Sequence, residues 1–248
     1  MSSVTPTPAA APPRTATGPS SIGLKRIRLF DGLPPAVLEE LAGRCKWRRY
    51  VAGQRIISRD APDHDVYFVT AGKVQVTAFS GSGKQVTYGD IGAGESFGDF
   101  AAIDGRTRSA DIVALEDTLV AAMDRATFRR LLHEHPTACD RMLHRLVARV
   151  RELTERVFEF STLGVQNRVH AELLRLARLA GVKGNSVRID PAPKHGDIAG
   201  QISTYREQVT RELSAMVKQG LVQRDGHALV IPDVARLEKV VSEVRLSA

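Results

Sequence analysis

From Cys139 to Phe160, apolar side chains return at alternating steps of four and three: Cys139, Leu143, Leu146, Val150, Leu153, Val157 and Phe160. Only an α-helix brings positions so spaced onto one side, and a strict seven-residue repeat is the pattern of two helices wound on each other. Arg, Glu and His fill the outer positions, and Pro136 stands where a helix can begin. Residues 136–162 are therefore predicted to be one long dimerisation helix of a parallel homodimer. An amphipathic helix lying on its own domain is the alternative.

Upstream the period changes from helical to two. Val51–Asp60, Val66–Thr77, Gln85–Ile91 and Ser109–Met123 alternate apolar with polar residues and break at glycines, the reading of short antiparallel strands. Ser80-Gly-Ser-Gly-Lys supplies a hairpin turn. Evenly spaced short strands predict a β jelly-roll over residues 22–135, with a short helix opened by Pro34 and Pro35 before it. Residues 1–21 are rich in Pro, Ala, Thr and Ser, cannot bury enough apolar surface to order themselves, and read as a disordered tail.

One segment of the roll carries chemistry. In Gly94–Ala110, glycines bracket Phe97, and Gly98 lets the backbone approach a ligand with no Cβ in the way. Asp99 follows, then a short apolar stretch suited to one helical turn, then Arg108 and Ser109. A guanidinium at that spacing can pair bidentately with a phosphate while the carboxylate accepts from a sugar hydroxyl, and Ser109 adds a donor.

After Thr162-Leu-Gly-Val, residues 163–248 read as a winged helix-turn-helix. Asn167–Ala180 is an amphipathic helix ending at Gly181. Two helices joined by a tight turn follow Lys194, the second burying Val209, Leu213 and Val217. Thr204, Arg206, Glu207, Thr210 and Arg211 lie at or near its N-terminus, where a recognition helix meets base edges. Arg206 suits guanine O6 and N7, Glu207 suits cytosine N4, and Arg211 suits a base or a phosphate. Gly220–Pro232 reads as a β-hairpin wing turning at Asp225-Gly226, and Val234–Val244 as a last helix.

Composition excludes several classes. The net charge of +7 over 248 residues favours a polyanionic partner. Two cysteines, Cys45 and Cys139, build neither a disulfide framework nor a four-cysteine cluster. His133, His135 and Cys139 read as ordinary residues rather than a metal clip, so no metal is expected. No apolar run is long enough to cross a bilayer, and a reducing cytoplasm fits. No nucleophile elbow, P-loop, zinc-protease motif or kinase signature is present, so no enzymatic activity is expected.

Phe97-Gly98-Asp99, the small apolar helix and Arg108-Ser109-Ala110 resemble the phosphate-binding cassette of cyclic-nucleotide domains. Arg206-Glu207-x-Val209-x-Arg211 resembles the recognition helix of the catabolite activator (CRP/FNR) family, whose order of roll, long helix and winged helix-turn-helix the whole chain after the tail repeats. The resemblance implies a homodimeric transcription regulator gated by cAMP or cGMP, with Thr154 near the purine. It also implies a near-palindromic site on double-stranded DNA and RNA polymerase as a partner. Family relatives that sense haem-bound gas or a cyclic dinucleotide, or act without ligand, are the alternative. Four departures stand out: Asp99 where glutamate is usual, Leu153 where threonine is common, Ser203 for glycine and Tyr205 for serine.

Overall fold

A computed structural model describes residues 14–15, 21–81 and 85–246. Most of the predicted tail and the centre of the Ser80–Lys84 turn lie outside the described residues. The chain divides into two compact units, Met1–Ala78 with Tyr88–Val147, and Phe79–Thr87 with Ala148–Ala248.

The first unit begins with a two-residue strand, β1 (Arg14–Thr15), inside the stretch read as a tail, followed by α1 (Ser21–Leu24) and α2 (Pro35–Arg44). Strands β2 (Lys46–Tyr50), β3 (Arg55–Ile57), β4 (Val66–Ala71), β5 (Lys73–Phe79), β6 (Gln85–Gly92) and β7 (Ser96–Phe97) come next. Helix α3 (Asp99–Asp104), strands β8 (Asp111–Ala114) and β9 (Thr118–Met123), and helix α4 (Arg125–Glu134) complete the roll. Two antiparallel sheets result, one ordered β1-β2-β9-β4-β7 and the other β3-β8-β5-β6.

The single alternating run predicted over 109–123 is two strands in different sheets, broken at Leu115–Asp117. Gly72 makes the crossing possible. Its φ is +85°, and a Cβ there would lie 2.5 Å from the Asp117 carbonyl oxygen.

Strand β4 explains how the roll is filled. Tyr67 and Val69 point into the core between the sheets, with Phe97, Ile112 and Val120. Val66 and Phe68 point the other way, into a second core formed with α1, α2, α4 and Met142. A strand alternates its side chains between faces, so a strand covered on both sides must be apolar throughout.

Helix α5 (Pro136–Thr162) is continuous over 27 residues. Met142 is buried in the first unit and Leu146 packs against the same core. Leu143 is 56%, Val147 53%, Val150 63% and Val157 64% exposed. The exposed apolar row thus runs 143, 147, 150 and 157 with Thr154 in line, because Leu146 and Leu153 are half-buried by their own chain. Relative to the sequence reading the apolar stripe is rotated, which puts Thr154 in the exposed row rather than beside it.

The second unit holds α6 (Val165–Ala180), β10 (Val187–Ile189), α7 (His195–Gln201), α8 (Arg206–Lys218), β11 (Gln223–Asp225), β12 (Ala228–Ile231) and α9 (Val234–Leu246). Its core joins Val169 and Leu173 of α6, Ile198 of α7, Val209, Leu213 and Met216 of α8, and Leu237 of α9. Met216 takes the third core position assigned to Val217, which is 39% exposed. The wing is a three-stranded sheet ordered β10-β12-β11, not a lone hairpin. It turns one residue later than predicted: Asp225 still pairs with Ala228, and Gly226 takes the positive φ of +58°.

Candidate ligand and nucleic-acid sites

In the first unit the cassette is built around a buried guanidinium. Gly98 precedes α3 with φ +83°, and a Cβ there would lie 2.7 Å from Arg108 Nη1 and 2.8 Å from the Asp65 carbonyl oxygen. Glycine is required at this position both by conformation and by space. Arg108 is 3% exposed. Its Nη1 donates to the Gly98 carbonyl at 2.9 Å and its Nη2 to the Asp65 carbonyl at 2.7 Å. Its Nε donates to Asp63 Oδ1 at 3.1 Å, and Nη2 donates to the same oxygen. The Arg108 main chain is pinned as well, donating to Ala61 at 3.1 Å and accepting from Asp60 at 2.9 Å.

Tyr67 flanks the guanidinium, with Arg108 Cζ 5.8 Å from the ring centroid. Burial, reinforced by the Asp63 carboxylate, pushes the Tyr67 phenol up to about 12, so it stays neutral beside the arginine. Phe97 does not face the cassette. Its ring is buried between the sheets, stacked on Tyr67 at 5.0 Å between centroids, so Phe97 has only its main chain to offer a ligand. Ser109 is exposed beside the buried Arg108.

Asp99 is 6% exposed and has a partner that the sequence reading missed. Arg145 Nη1 of α5 lies 3.6 Å from Asp99 Oδ2, and the same guanidinium donates to the hydroxyl and carbonyl of Ser96. The signal was present in the helical register. Residue 145 shares its face with Met142 and Leu146, which pack on the roll, and so turns away from the exposed row. Thr154 belongs to the other unit, where its hydroxyl donates to the Val150 carbonyl at 2.9 Å.

The second site is on α8. Arg206, Glu207, Thr210 and Arg211 are all exposed on the side away from Val209, Leu213 and Met216. Thr204 is not with them. It is 6% exposed, its hydroxyl is bonded to Gln208 Oε1, and its N–H donates to Ala199 at 2.9 Å. Thr204 therefore fixes the turn between α7 and α8 instead of reaching a base edge. Ser203 holds the same turn at φ +56°, the conformation for which glycine is the easier residue.

His195, the first residue of α7, joins this face. Its Nδ1 lies 2.7 Å from the Thr210 hydroxyl, which itself donates to the Arg206 carbonyl at 2.9 Å. Burial, then the charges of Arg224 and Arg206, lower the His195 pKa and favour the neutral ring. Among the described residues no group of three His, Cys, Asp or Glu is placed to hold a metal, and no helix is long and apolar enough to cross a membrane. The Cys45 thiol is pushed up to about 12, chiefly by burial.

Comparison with known proteins matches both halves. Residues 47–135 match the family described as a cyclic nucleotide-binding domain, and residues 167–240 match the Crp-like helix-turn-helix domain. The cyclic AMP receptor protein of Thermus thermophilus is 29% identical over 217 residues, 88% of this chain and 98% of that protein. The cAMP-activated global transcriptional regulator Vfr of Pseudomonas aeruginosa is 25% identical over 198 residues, 78% of this chain and 92% of its own. A CooA mutant from Carboxydothermus hydrogenoformans shares the fold, with a TM-score of 0.73 at 20% identity, covering 92% of this chain and 98% of that one.

Proposed function

The chain belongs to the CRP/FNR family of DNA-binding transcription regulators, and from that premise we propose that it works as a homodimer gated by a cyclic mononucleotide, cAMP or cGMP. The observation that carries this reading is the buried Arg108 guanidinium behind the Gly98 turn, with an acid and a serine beside it. The relatives named for cyclic AMP support the ligand class.

In this reading Arg108 and Ser109 hold the cyclic phosphate, the main chain at Phe97–Gly98 lies against it, and Asp99 accepts from the ribose. Thr154, in the exposed row of α5, reaches the purine. A Leu143, Val147, Val150, Val157 stripe exposed on a single helix supports pairing with a second copy, since isolated chains rarely leave such a row in water.

Arg145 gives the ligand a grip on that helix. A nucleotide that engages Asp99 changes what Arg145 holds, and Arg145 is part of α5. The ligand then acts only through its preference for the α5 arrangement competent for DNA. In the dimer two α8 helices enter successive major grooves about 34 Å apart on a near-palindromic site. Arg206, Glu207, Thr210 and Arg211 supply the base and phosphate contacts. RNA polymerase is the partner such a regulator serves, and the cytoplasm its place.

Calorimetric titration with cAMP, cGMP and a cyclic dinucleotide tests the ligand, with fluorescence anisotropy on duplex DNA run with and without it. Binding of one cyclic mononucleotide, with tighter DNA association in its presence, is the expected result. One observation favours a second reading, in which another signal or none is used: Arg108 and Asp99 both have internal partners already. Silence of both mononucleotides in the titration decides for it.

A further inference from the structure

The groups around Arg108 show what a phosphate must displace. A guanidinium has five N–H donors. Four of Arg108's are committed: two to Asp63 Oδ1, one to the Gly98 carbonyl and one to the Asp65 carbonyl. A single N–H on Nη1 is left over, whereas bidentate capture of a phosphate takes two parallel donors. One acceptor must therefore leave when a phosphate is bound in that manner.

The three acceptors differ in how easily they can go. The Gly98 carbonyl is fixed by the left-handed turn that opens α3, and the Asp65 carbonyl immediately precedes β4, whose side chains are buried on both faces. The Asp63 carboxylate is on a loop side chain that is 47% exposed, against 2% for the arginine it serves. Rotation of Asp63 toward solvent rehydrates its charge at little cost, while moving either carbonyl disturbs an element of the roll.

We infer that Asp63 is an affinity-setting residue of this ligand site: an internal carboxylate that occupies the phosphate-binding edge of Arg108 and is exchanged for the ligand's phosphate. The inference rests on the cyclic-nucleotide reading and deepens it. Asp63 keeps the buried guanidinium paired while no ligand is bound, since a buried cation with no counter-charge is costly. It also sets a threshold. A ligand whose contacting group is uncharged gains nothing from displacing a carboxylate, whereas an anionic phosphodiester restores the pair.

The exchange has a salt signature. In the wild type one anion replaces another at Arg108, so ionic strength acts weakly; with Asp63 neutralised, binding brings an anion to an uncompensated cation, and added salt opposes it. D63N retains an oxygen for Arg108 Nε, and D63S leaves a smaller acceptor. Both alter a half-exposed loop side chain, and circular dichroism checks that each variant is folded.

The experiment is calorimetric titration of the wild type, D63N and D63S with cAMP and with cGMP at low and high salt. The expected result is about tenfold tighter binding in both variants at low salt, with a steeper loss of affinity as salt rises, from the magnitude typical of coupling between ligands that compete for one charge. Equal or weaker binding in the variants overturns the inference: Asp63 then only positions Arg108, and the cyclic-nucleotide reading stands. Absence of binding in all three proteins overturns both.

Discussion

Two arginines of this protein are assigned to phosphate-bearing ligands, and they stand in opposite surroundings. Arg108 is 3% exposed and four of its five donors are taken up by Asp63 and two carbonyls. Arg206, on the outer face of α8, is exposed to water. The difference follows from dielectric environment. A charge in water is solvated at no cost to the fold, whereas a buried one must find its counter-charge within the chain. The cassette must therefore exchange partners to bind, while the recognition helix exchanges only water and counterions.

The strongest way to break this contrast is at the buried arginine. Arg108→Ala should weaken cyclic-nucleotide binding by about 100-fold or more, because two charge-assisted hydrogen bonds are lost together. Dimer mass, read by sedimentation, should be unchanged. Wild-type affinity in calorimetry would show that the phosphate sits elsewhere.

At the exposed arginine the loss should be smaller and of another kind. Arg206→Ala should cost about 1 to 3 kcal/mol at the cognate DNA and relax preference at one base pair, whereas a variant of a phosphate contact lowers all sequences alike. Anisotropy on a panel of single-base variants separates the two, and an unchanged preference places Arg206 off the bases.

Burial without any partner is the third case, and pH reads it. His170 is 3% exposed, and among the described residues neither of its ring nitrogens has a hydrogen-bond partner. Burial lowers its pKa, with Glu212 opposing. The folded state thus prefers neutral His170, and the unfolded chain takes the proton first, near pH 6.5. Stability from this group is full above that pH and is lost as pH falls toward the lower folded value, by up to about 1.4 kcal/mol per pH unit. Chemical denaturation of wild type and His170→Phe between pH 7.5 and 5.5 should give a flatter profile for the variant. Parallel profiles would assign the acid sensitivity to other groups.

The smallest effect belongs to the backbone. Ser203→Gly should stabilise the second unit by about 1 kcal/mol or less, as relief of the left-handed conformation outweighs the greater entropy of an unfolded glycine. An unchanged or lower thermal midpoint would mean that the Ser203 side chain contributes more than its strain costs.

Much of the site was legible because it is local in the chain. Gly98, Asp99, Arg108 and Ser109 fall within a dozen residues, and their spacing is meaningful without knowledge of the fold. Asp63 lies 45 residues from Arg108, and the folded pairing of the two segments, through β3 with β8 and the Asp60–Ala61 main chain with Arg108, brings them together. Arg145, 46 residues beyond Asp99, was hidden for a related reason. Seven-residue spacing identifies the apolar stripe of α5 but not which edge of it the roll covers, and that edge is set by Met142 and Leu146. In the second unit the choice between Met216 and Val217 hinged on about 100° of helical rotation, finer than a three-residue pattern resolves. Phe97 and Thr204 look like site residues in sequence because they neighbour the site; the Phe97 ring goes to the core between the sheets and the Thr204 hydroxyl to Gln208 within the turn.

Helix α5 runs unbroken through the boundary between the two compact units, which falls at Val147 and Ala148. What such a helix carries across the boundary is phase. One residue inserted just before Ala148 would rotate every later side chain of the helix by about 100°, turning Val150, Thr154 and Val157 out of line with Leu143 and Val147 without changing any of those side chains. Seven inserted residues would nearly restore the alignment. For this part of the molecule the integer that counts residues is itself a constraint, one that no point substitution can probe.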